Sequence, residues 1–272
     1  MIVPNEPKNM HRDMSDREGT SSTRWNKVAE VTALFWVMKV IATTLGETLG
    51  DQLSMTLGLG YEVGIAITLG LFVVLLLWQL QARQYSPLRY WAVIVGTTTL
   101  GTEISDSLDR TFHLGYVWGS IVLASGLAVT LLGWYRRYQH LQVYPISERG
   151  HEVFYWVAVL FSNSLGTAFG DFLSDDVGLS YGVAACITGG IILLVVMLHY
   201  FTRLNAVLLF WVAFVFTRPF GATFGDLLTK PLGKGGLALG TLPATLVAAG
   251  LLAVLVYLSQ RSHRKTPEWS KT

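Results

Sequence analysis

Four copies of one phrase run along the chain and constrain its fold more than any other feature. Each copy has a Trp, a Gly ten residues later, and an Asp that follows a small residue and lies 15 residues after the Trp. The four Trp–Asp pairs are Trp36 and Asp51, Trp91 and Asp106, Trp156 and Asp171, and Trp211 and Asp226. The copies begin 55, 65 and 55 residues apart. Internal repetition at such a period predicts an architecture built from four equivalent units.

The composition is that of a membrane protein. Of the 272 residues, 51% are hydrophobic and only 14% are charged, against roughly 25% charged in soluble domains. Apolar stretches near the length of about 20 residues that a bilayer requires occur eight times, two in each repeat. They lie near 28–50, 61–79, 90–107, 116–135, 153–172, 181–201, 204–226 and 237–258. The sequence therefore predicts an all-α integral membrane fold with eight transmembrane helices.

The distribution of Lys and Arg predicts how these helices are oriented. The N-terminal segment, the three even-numbered connections and the C-terminal segment hold 15 of the 20 Lys and Arg residues. Positive charge concentrates on the cytoplasmic side, so both termini are expected in the cytoplasm. Four parallel two-helix repeats, with pseudo-symmetry about the membrane normal, follow from the even number of spans per repeat. A pseudo-fourfold ring and a pseudo-twofold pair of halves both remain open.

Five segments are expected. Residues 1–27 form a disordered cytoplasmic tail, 28–136 the first membrane half, 137–152 a cytoplasmic linker, 153–259 the second membrane half, and 260–272 a cytoplasmic tail. Within each repeat the second span is uniformly apolar and is expected to face lipid. The first span of each repeat becomes rich in polar and small residues towards its end, as at residues 43–51 of the first repeat. This span is expected to line a site.

A polar stripe runs along each first span towards its Asp. Positions 7, 11 and 15 after each Trp share one helical face because they are four residues apart. In copy order they are Thr43, Glu47, Asp51; Thr98, Thr102, Asp106; Asn163, Thr167, Asp171; and Arg218, Ala222, Asp226. Polar residues within a membrane face protein or water rather than lipid and are usually functional. The stripe therefore predicts a lined site.

Six carboxyl groups on or beside this stripe are the candidate ion-binding residues and metal ligands. They are Glu47, Asp51, Glu103, Asp106, Asp171 and Asp226. The supporting polar residues are Lys39, Thr43, Thr98, Thr102, Asn163, Thr167 and Arg218. The carboxylates outnumber the two cations of this set, Lys39 and Arg218, by four. A surplus of negative charge in a low dielectric takes up protons or binds cations.

Other features have structural interpretations. Glycines four residues apart, such as Gly46 and Gly50, favour close approach of membrane helices. The repeated Tyr61, Tyr116 and Tyr181 are interpreted as residues of the interfacial aromatic belt. The single Cys186 lies in an apolar run and is predicted to be a packed core thiol. Asp175 and the cations Arg110 and Lys230 are assigned to the outer side of the membrane, with Asp175 on a solvated rim.

The chain resembles a family of bacterial membrane proteins built from a repeat of unknown function. The likeness runs from about Trp25 to Leu258 and rests on four tandem copies with two spans each, the repeated Trp, and the phrase at 46–51, Gly-Glu-Thr-Leu-Gly-Asp. The second copy departs from it with Ser105 in place of Gly, and the fourth lacks the Glu. The resemblance implies the repeat number, the topology and a bacterial inner-membrane location. It implies no activity.

These observations predict a secondary transporter of small cations. Carboxylate and hydroxyl oxygens suit hard divalent ions such as Mn²⁺, Mg²⁺ or Ca²⁺, and the same oxygens would alternately hold the metal ion or protons. The metal ion is then a substrate, and the sequence identifies no certain cofactor. The expected partners are the lipid bilayer, small cations and protons, with a homo-oligomer left open and no nucleic acid expected. The alternative is a non-transporting membrane scaffold or sensor in which the repeated Asp residues cap helices; an enzyme is not expected.

Overall fold

The apolar stretches form eight long helices in the computed structural model, which describes residues 26–265. In chain order they are α1 Ala33–Asp51, α2 Tyr61–Leu80, α3 Pro87–Asp106, α4 Gly115–Tyr138, α5 Arg149–Asp171, α6 Tyr181–Phe201, α7 Ala206–Thr229 and α8 Thr241–Lys265. No strand occurs among the described residues. Six of the described helices, α2 and α4 to α8, are long and apolar enough to cross a membrane. The predicted all-α membrane fold is confirmed at this level. The remaining two, α1 and α3, are not among these six helices.

Local sequence signals set the helix ends. The side chain of Thr32 accepts a hydrogen bond from Phe35 N at the start of α1, and that of Asn205 accepts from Val207 N at the start of α7. Such N-caps satisfy backbone donors that have no partner within the helix. Four helices carry the repeated Asp near their ends. After this Asp, three of them, α1, α3 and α5, continue as π-helical segments, at Gln52–Thr56, Ser107–Thr111 and Phe172–Asp176. The fourth, α7, continues as an α-helix to Thr229 before it ends.

The odd-numbered helices, which carry the repeated phrase, form an inner ring. They pack in the closed order α1, α3, α5, α7 and back to α1. Each even-numbered helix packs outside this ring, mainly against the inner helix of the following repeat: α2 against α3, α4 against α5, α6 against α7, and α8 against α1. The last repeat therefore covers the first, and the four units close on themselves.

The repeated glycines bring neighbouring inner helices into contact. A Cβ atom on Gly46 would lie 2.2 Å from Thr98 Oγ1, and one on Gly221 would lie 2.1 Å from Thr43 Oγ1. In each case the glycine of one copy packs against the polar-stripe residue of the next copy in the ring, the residue that lies seven positions after the Trp of that copy. The repeated Gly is therefore a packing position, as small residues are at close helix contacts in membranes.

The outer helices leave most of their surface exposed. In their most apolar windows only 22–28% of residues are buried, against 61% for α5 and α7. The free thiol of Cys186 lies on this exposed surface of α6. The prediction of a packed core thiol is therefore wrong, because the apolar run that contains it faces outward rather than into the protein.

The end of the ring nearest the repeated Trp residues, here called the Trp end, is closed by packed side chains. Trp91, Trp156 and Trp211 are buried there. The segment before α1 also packs at this end: Lys27 Nζ lies 2.6 Å from Glu152 Oε2, and both side chains are almost fully buried. Gln79 donates to the other oxygen, Glu152 Oε1, at 2.9 Å.

The boundaries differ from the expected segments in three places. Lys27, assigned from the sequence to the disordered tail, is buried and ion-paired. The connection between the halves comprises residues 139–148, because α4 runs to Tyr138 and α5 begins at Arg149. α8 continues beyond 259 to Lys265. The rest of the two predicted tails, residues 1–25 and 266–272, lies outside the described residues.

Candidate functional site

A polar cavity of about 180 Å³ lies at the opposite end of the inner ring, here called the Asp end. All four repeated Asp residues line it: Asp51, Asp106, Asp171 and Asp226. Each is between 3% and 6% exposed. Glu47 lines the cavity beside them. The ring geometry explains this convergence, because four equivalent positions on four inner helices face one shared axis.

A second set of residues lines the same cavity, one helical turn beyond the Asp residues. The residue four positions after each Asp is, in chain order, Met55, Arg110, Asp175 and Lys230. Sequence reasoning placed the charged members of this set on the outer side and not in the site. Their shared position in the repeat was the available signal. It was hidden because the four copies carry four different residue types there.

Lys230 pairs with two of the repeated carboxylates. Its Nζ atom lies 2.6 Å from Asp51 Oδ2 and 3.2 Å from Asp226 Oδ1. Burial lowers the pKa of Lys230, but the carboxylates of Asp226 and Asp51 outweigh it, so this pKa is raised above its ordinary value. The ammonium group is therefore charged and joins the first and fourth repeats.

Arg218 closes the cavity on the side towards the Trp end. Its Nη2 atom lies 2.7 Å from Glu47 Oε2 and donates to Thr102 Oγ1 at 2.5 Å. The Arg218 side chain is fully buried. A buried cation that lacks a partner is strongly destabilising, so the pairing with Glu47 holds both charges in place.

Three carboxylates at the Asp end have the geometry of a cation site. One oxygen from each of Glu47, Asp51 and Asp226 lies within 4.8 Å of the other two. Carboxylate oxygens are the ligands that Mg²⁺, Mn²⁺ and Ca²⁺ prefer. This group lies between α1 and α7, on the same side of the cavity as Lys230.

The other two repeated carboxylates have no direct partner among residues 26–265. Among the described residues, the side-chain carboxylates of Asp106 and Asp171 take part in no hydrogen bond and in no ion pair within 4 Å. The nearby cation, Arg110, donates instead to Tyr61 OH at 2.7 Å. Buried polar groups usually have partners, so two carboxylates facing a polar cavity without one are available for a ligand.

Two further predicted site residues lie away from the cavity. Glu103, one position round from the stripe, accepts a hydrogen bond from Ser54 Oγ and does not line the cavity. Lys39 is fully buried nearer the Trp end, where its Nζ donates to Asn163 Oδ1 at 2.8 Å and lies 4.2 Å from the centre of the Phe214 ring. Their residue types suggested the site, but the helix face and depth of each place it elsewhere.

Two of the supporting hydroxyl groups, those of Thr43 and Thr98, join neighbouring inner helices. Thr43 Oγ1 donates to Thr217 O at 3.3 Å, and Thr98 Oγ1 donates to Ala42 O at 3.2 Å. Thr167 Oγ1 bonds within its own helix, to Asn163 O at 3.2 Å. These residues lie in the part of the ring between the cavity and the Trp end. They do not line the cavity itself.

The repeated tyrosines contact the second set of cavity residues. Besides the Tyr61–Arg110 bond, Tyr116 OH donates to Asp175 Oδ2 at 2.9 Å. Tyr181 lines the cavity. Each of the two bonds joins one repeat to the next. The interpretation as belt residues is therefore wrong for Tyr61 and Tyr116, whose hydroxyl groups bond to protein.

Comparison with protein-family models gives a match described as Repeat of Unknown Function (DUF347). It consists of four consecutive copies at residues 34–85, 89–139, 154–205 and 209–265. The chain belongs to this repeat family, and the resemblance noted in the sequence is confirmed. Comparisons with curated proteins and with solved structures give no match.

Proposed function

We propose that this member of the repeat family is a membrane transporter of small cations, in which the carboxylates at the Asp end bind a divalent metal ion such as Mn²⁺ and exchange it for protons. The observation that carries the proposal is the convergence of four buried, repeated Asp residues on one polar cavity. Ionisable groups at membrane depth are expensive and mark ion pathways. The availability of Asp106 and Asp171 for a ligand supports a binding role.

We also propose the finer topology. All eight helices span the bacterial inner membrane, both termini lie in the cytoplasm, and the Asp end faces outward. Support comes from the concentration of Lys and Arg in the segments and connections on the opposite side. The closed order of inner helices supports a pseudo-fourfold ring over a pair of halves. In such a ring the polar stripes of α1 and α3 are shielded from lipid by their neighbours.

Helix capping, the role given to the Asp residues in the scaffold alternative, has less support. Asp51, Asp106 and Asp171 make no side-chain capping hydrogen bond, and the backbone continues in a helical conformation through each of them. One observation does favour a sensor that binds a cation without moving it. Arg218 is fully buried between the cavity and the Trp end, and its fixed positive charge opposes the passage of a cation along that route.

Flux measurements on the purified protein in sealed liposomes test the proposal. Mn²⁺ added on the side of the membrane that the Asp end faces is expected to enter the liposomes and to drive protons out. A pH dye trapped inside the liposomes detects the proton movement. Asp106→Asn and Asp171→Asn keep the side-chain shape and each remove one negative charge that attracts a cation into the cavity, so each is expected to reduce Mn²⁺ flux at least tenfold. Asp176→Asn is the matched control, because Asp176 is exposed and does not line the cavity.

The possible results separate the candidate functions. Mn²⁺ flux without proton movement would leave a channel or uniporter. Binding without flux of any cation would favour the sensor. Full flux in both Asp106→Asn and Asp171→Asn would refute the role of the repeated Asp.

A further inference from the structure

Lys230 occupies the position that a bound cation would take. Its ammonium nitrogen is 2.6 Å from Asp51 Oδ2 and 3.2 Å from Asp226 Oδ1. These two residues and Glu47 are the three whose carboxylate oxygens lie close enough together to share one metal ion. A metal ion and the ammonium group cannot both lie between the same oxygens, because both their charges and their volumes oppose it.

The backbone of Lys230 is fixed, whereas its side chain reaches the edge of the protein. Lys230 N donates to Asp226 O, and Ala238 N donates to Lys230 O, both at 2.9 Å. Gly236 packs against the same carbonyl group, where a Cβ atom would lie 2.1 Å from the oxygen. The side chain is nevertheless 22% exposed, against 3% for its partner Asp51. The long stem of Lys230 can therefore carry the charge outward without moving the helix.

The cavity attracts further positive charge even with Lys230 in place. Six carboxyl groups and two cations line it. Arg218 pairs with Glu47 from the side nearer the Trp end. The carboxylate groups of Asp106 and Asp171, residues that are both more than nine-tenths buried, remain without a hydrogen bond or ion pair in the described part of the chain. An incoming cation is therefore drawn to a cavity whose three-carboxylate position is already filled.

Resting on the proposed function, we propose that Lys230 is a tethered cation that fills the Glu47–Asp51–Asp226 position when no metal ion is bound and leaves it when one binds. The tether keeps the ammonium group at a high effective concentration beside the carboxylates. Lys230 thus lowers the affinity for the metal ion and replaces it on release, so that the three carboxylates of this position always have a counter-charge.

Mn²⁺ binding to the purified full-length protein in detergent, followed by the electron paramagnetic resonance of free Mn²⁺, tests this competition. Lys230→Gln removes the tethered charge and is expected to bind Mn²⁺ at least tenfold more tightly than the wild type. Arg110→Gln is the matched control. It removes one positive charge at the same repeat position, from a side chain bonded to Tyr61 rather than to the three carboxylates. Its effect is expected to be threefold or less.

Chemical labelling measures the movement itself. An amine-reactive reagent, with mass spectrometry of the Lys230 peptide, is expected to label Lys230 in the wild type several times faster with Mn²⁺ than without it. A melting temperature for Lys230→Gln close to that of the wild type would show that the variant is folded. If it does not fold, Lys230→Arg replaces it and is expected to retain weak Mn²⁺ binding.

Failure of this inference differs from failure of the proposed function. Equal gains in affinity for Lys230→Gln and Arg110→Gln, or unchanged labelling of Lys230, would overturn the displacement while leaving cation binding intact. Absence of Mn²⁺ binding in every variant would overturn both. Displacement without flux in liposomes would keep the inference and remove transport.

Discussion

At the scale of single residues, the fourth copy of the repeat departs from the others in a way that the structure explains. The repeated Tyr is replaced by Gly236, which packs against the Lys230 carbonyl group with no space for a side chain. In the other copies the Tyr contacts, or lies beside, a polar cavity residue of the next copy. The copy that follows the fourth in the ring is the first, and its residue at that position is Met55, which needs no polar partner.

The glycine contacts give a direct prediction at this scale. Gly221→Ala places a methyl group 2.1 Å from Thr43 Oγ1, so α1 and α7 must move apart. Overpacking of this kind costs about 1–3 kcal/mol, and we expect a clearly lowered melting temperature in detergent. Gly70→Ala is the matched control, because a Cβ atom there meets nothing within 4 Å. Equal melting temperatures for the two variants would contradict the close packing of the ring.

Identity between repeats decided which residues could be predicted. The four Asp residues were identifiable because all copies share them, and the ring brings all four to one cavity. Lys230 and Arg110 could not be identified as cavity residues from the sequence. They are different residue types in separate connections, and they share only their position in the repeat, four residues after the Asp. Glu103 was chosen by its charge, although one residue of helical rotation turns it towards Ser54. Side-chain direction at that precision depends on how the helices pack.

At the scale of elements, the segment before α1 ties three parts of the chain together at the Trp end. Lys27 bonds to Glu152 on α5 and to the carbonyl of Leu80 at the end of α2. Its backbone N donates to Ile146 O in the central connection at 2.8 Å. Val28 follows and is 1% exposed. These bonds tie the segment before α1 to the inner helix α5, to the outer helix α2 and to the central connection at the Trp end.

Removal of the Lys27 charge is expected to destabilise this end. Lys27→Met leaves the Glu152 carboxylate buried with Gln79 as its remaining side-chain partner. Breaking a buried pair in this way costs about 3–5 kcal/mol. The double variant Lys27→Met with Glu152→Gln is expected to recover most of the loss, because a neutral amide can still accept from Gln79. Thermal unfolding measures both, and an unchanged single variant would show that the pair contributes nothing.

The pairing of outer with inner helices was not predictable from the sequence. Two adjacent spans in one repeat suggest a hairpin, yet α2 packs mainly against α3 and α4 mainly against α5. The polar stripes predicted which spans lie inside, and the structure agrees. They carry no information about which outer helix covers them, since the outer faces are uniformly apolar.

At the scale of the whole molecule, the proposed orientation predicts which connections are accessible from each side. In a Cys186→Ser background, single cysteines are expected to react with an impermeant thiol reagent added outside at four exposed positions of the Asp end: Leu57, Phe112, Val177 and Leu232. Cysteines at exposed positions of the Trp end are expected to react only after the membrane is opened: Gln84, Gln142 and Arg203. Reaction of position 84 from outside, or of only some of the first four, would refute four parallel repeats.

The closed order of the helices has a consequence for how the protein is made. The ribosome releases α8 last, yet α8 packs against α1, the helix that carries Lys39, Glu47 and Asp51. Until α8 has been made, α1 lacks the outer helix that packs against it. The packing of the first repeat is therefore completed only by the last, and a chain truncated before α8 would leave the outer face of α1 without its partner helix.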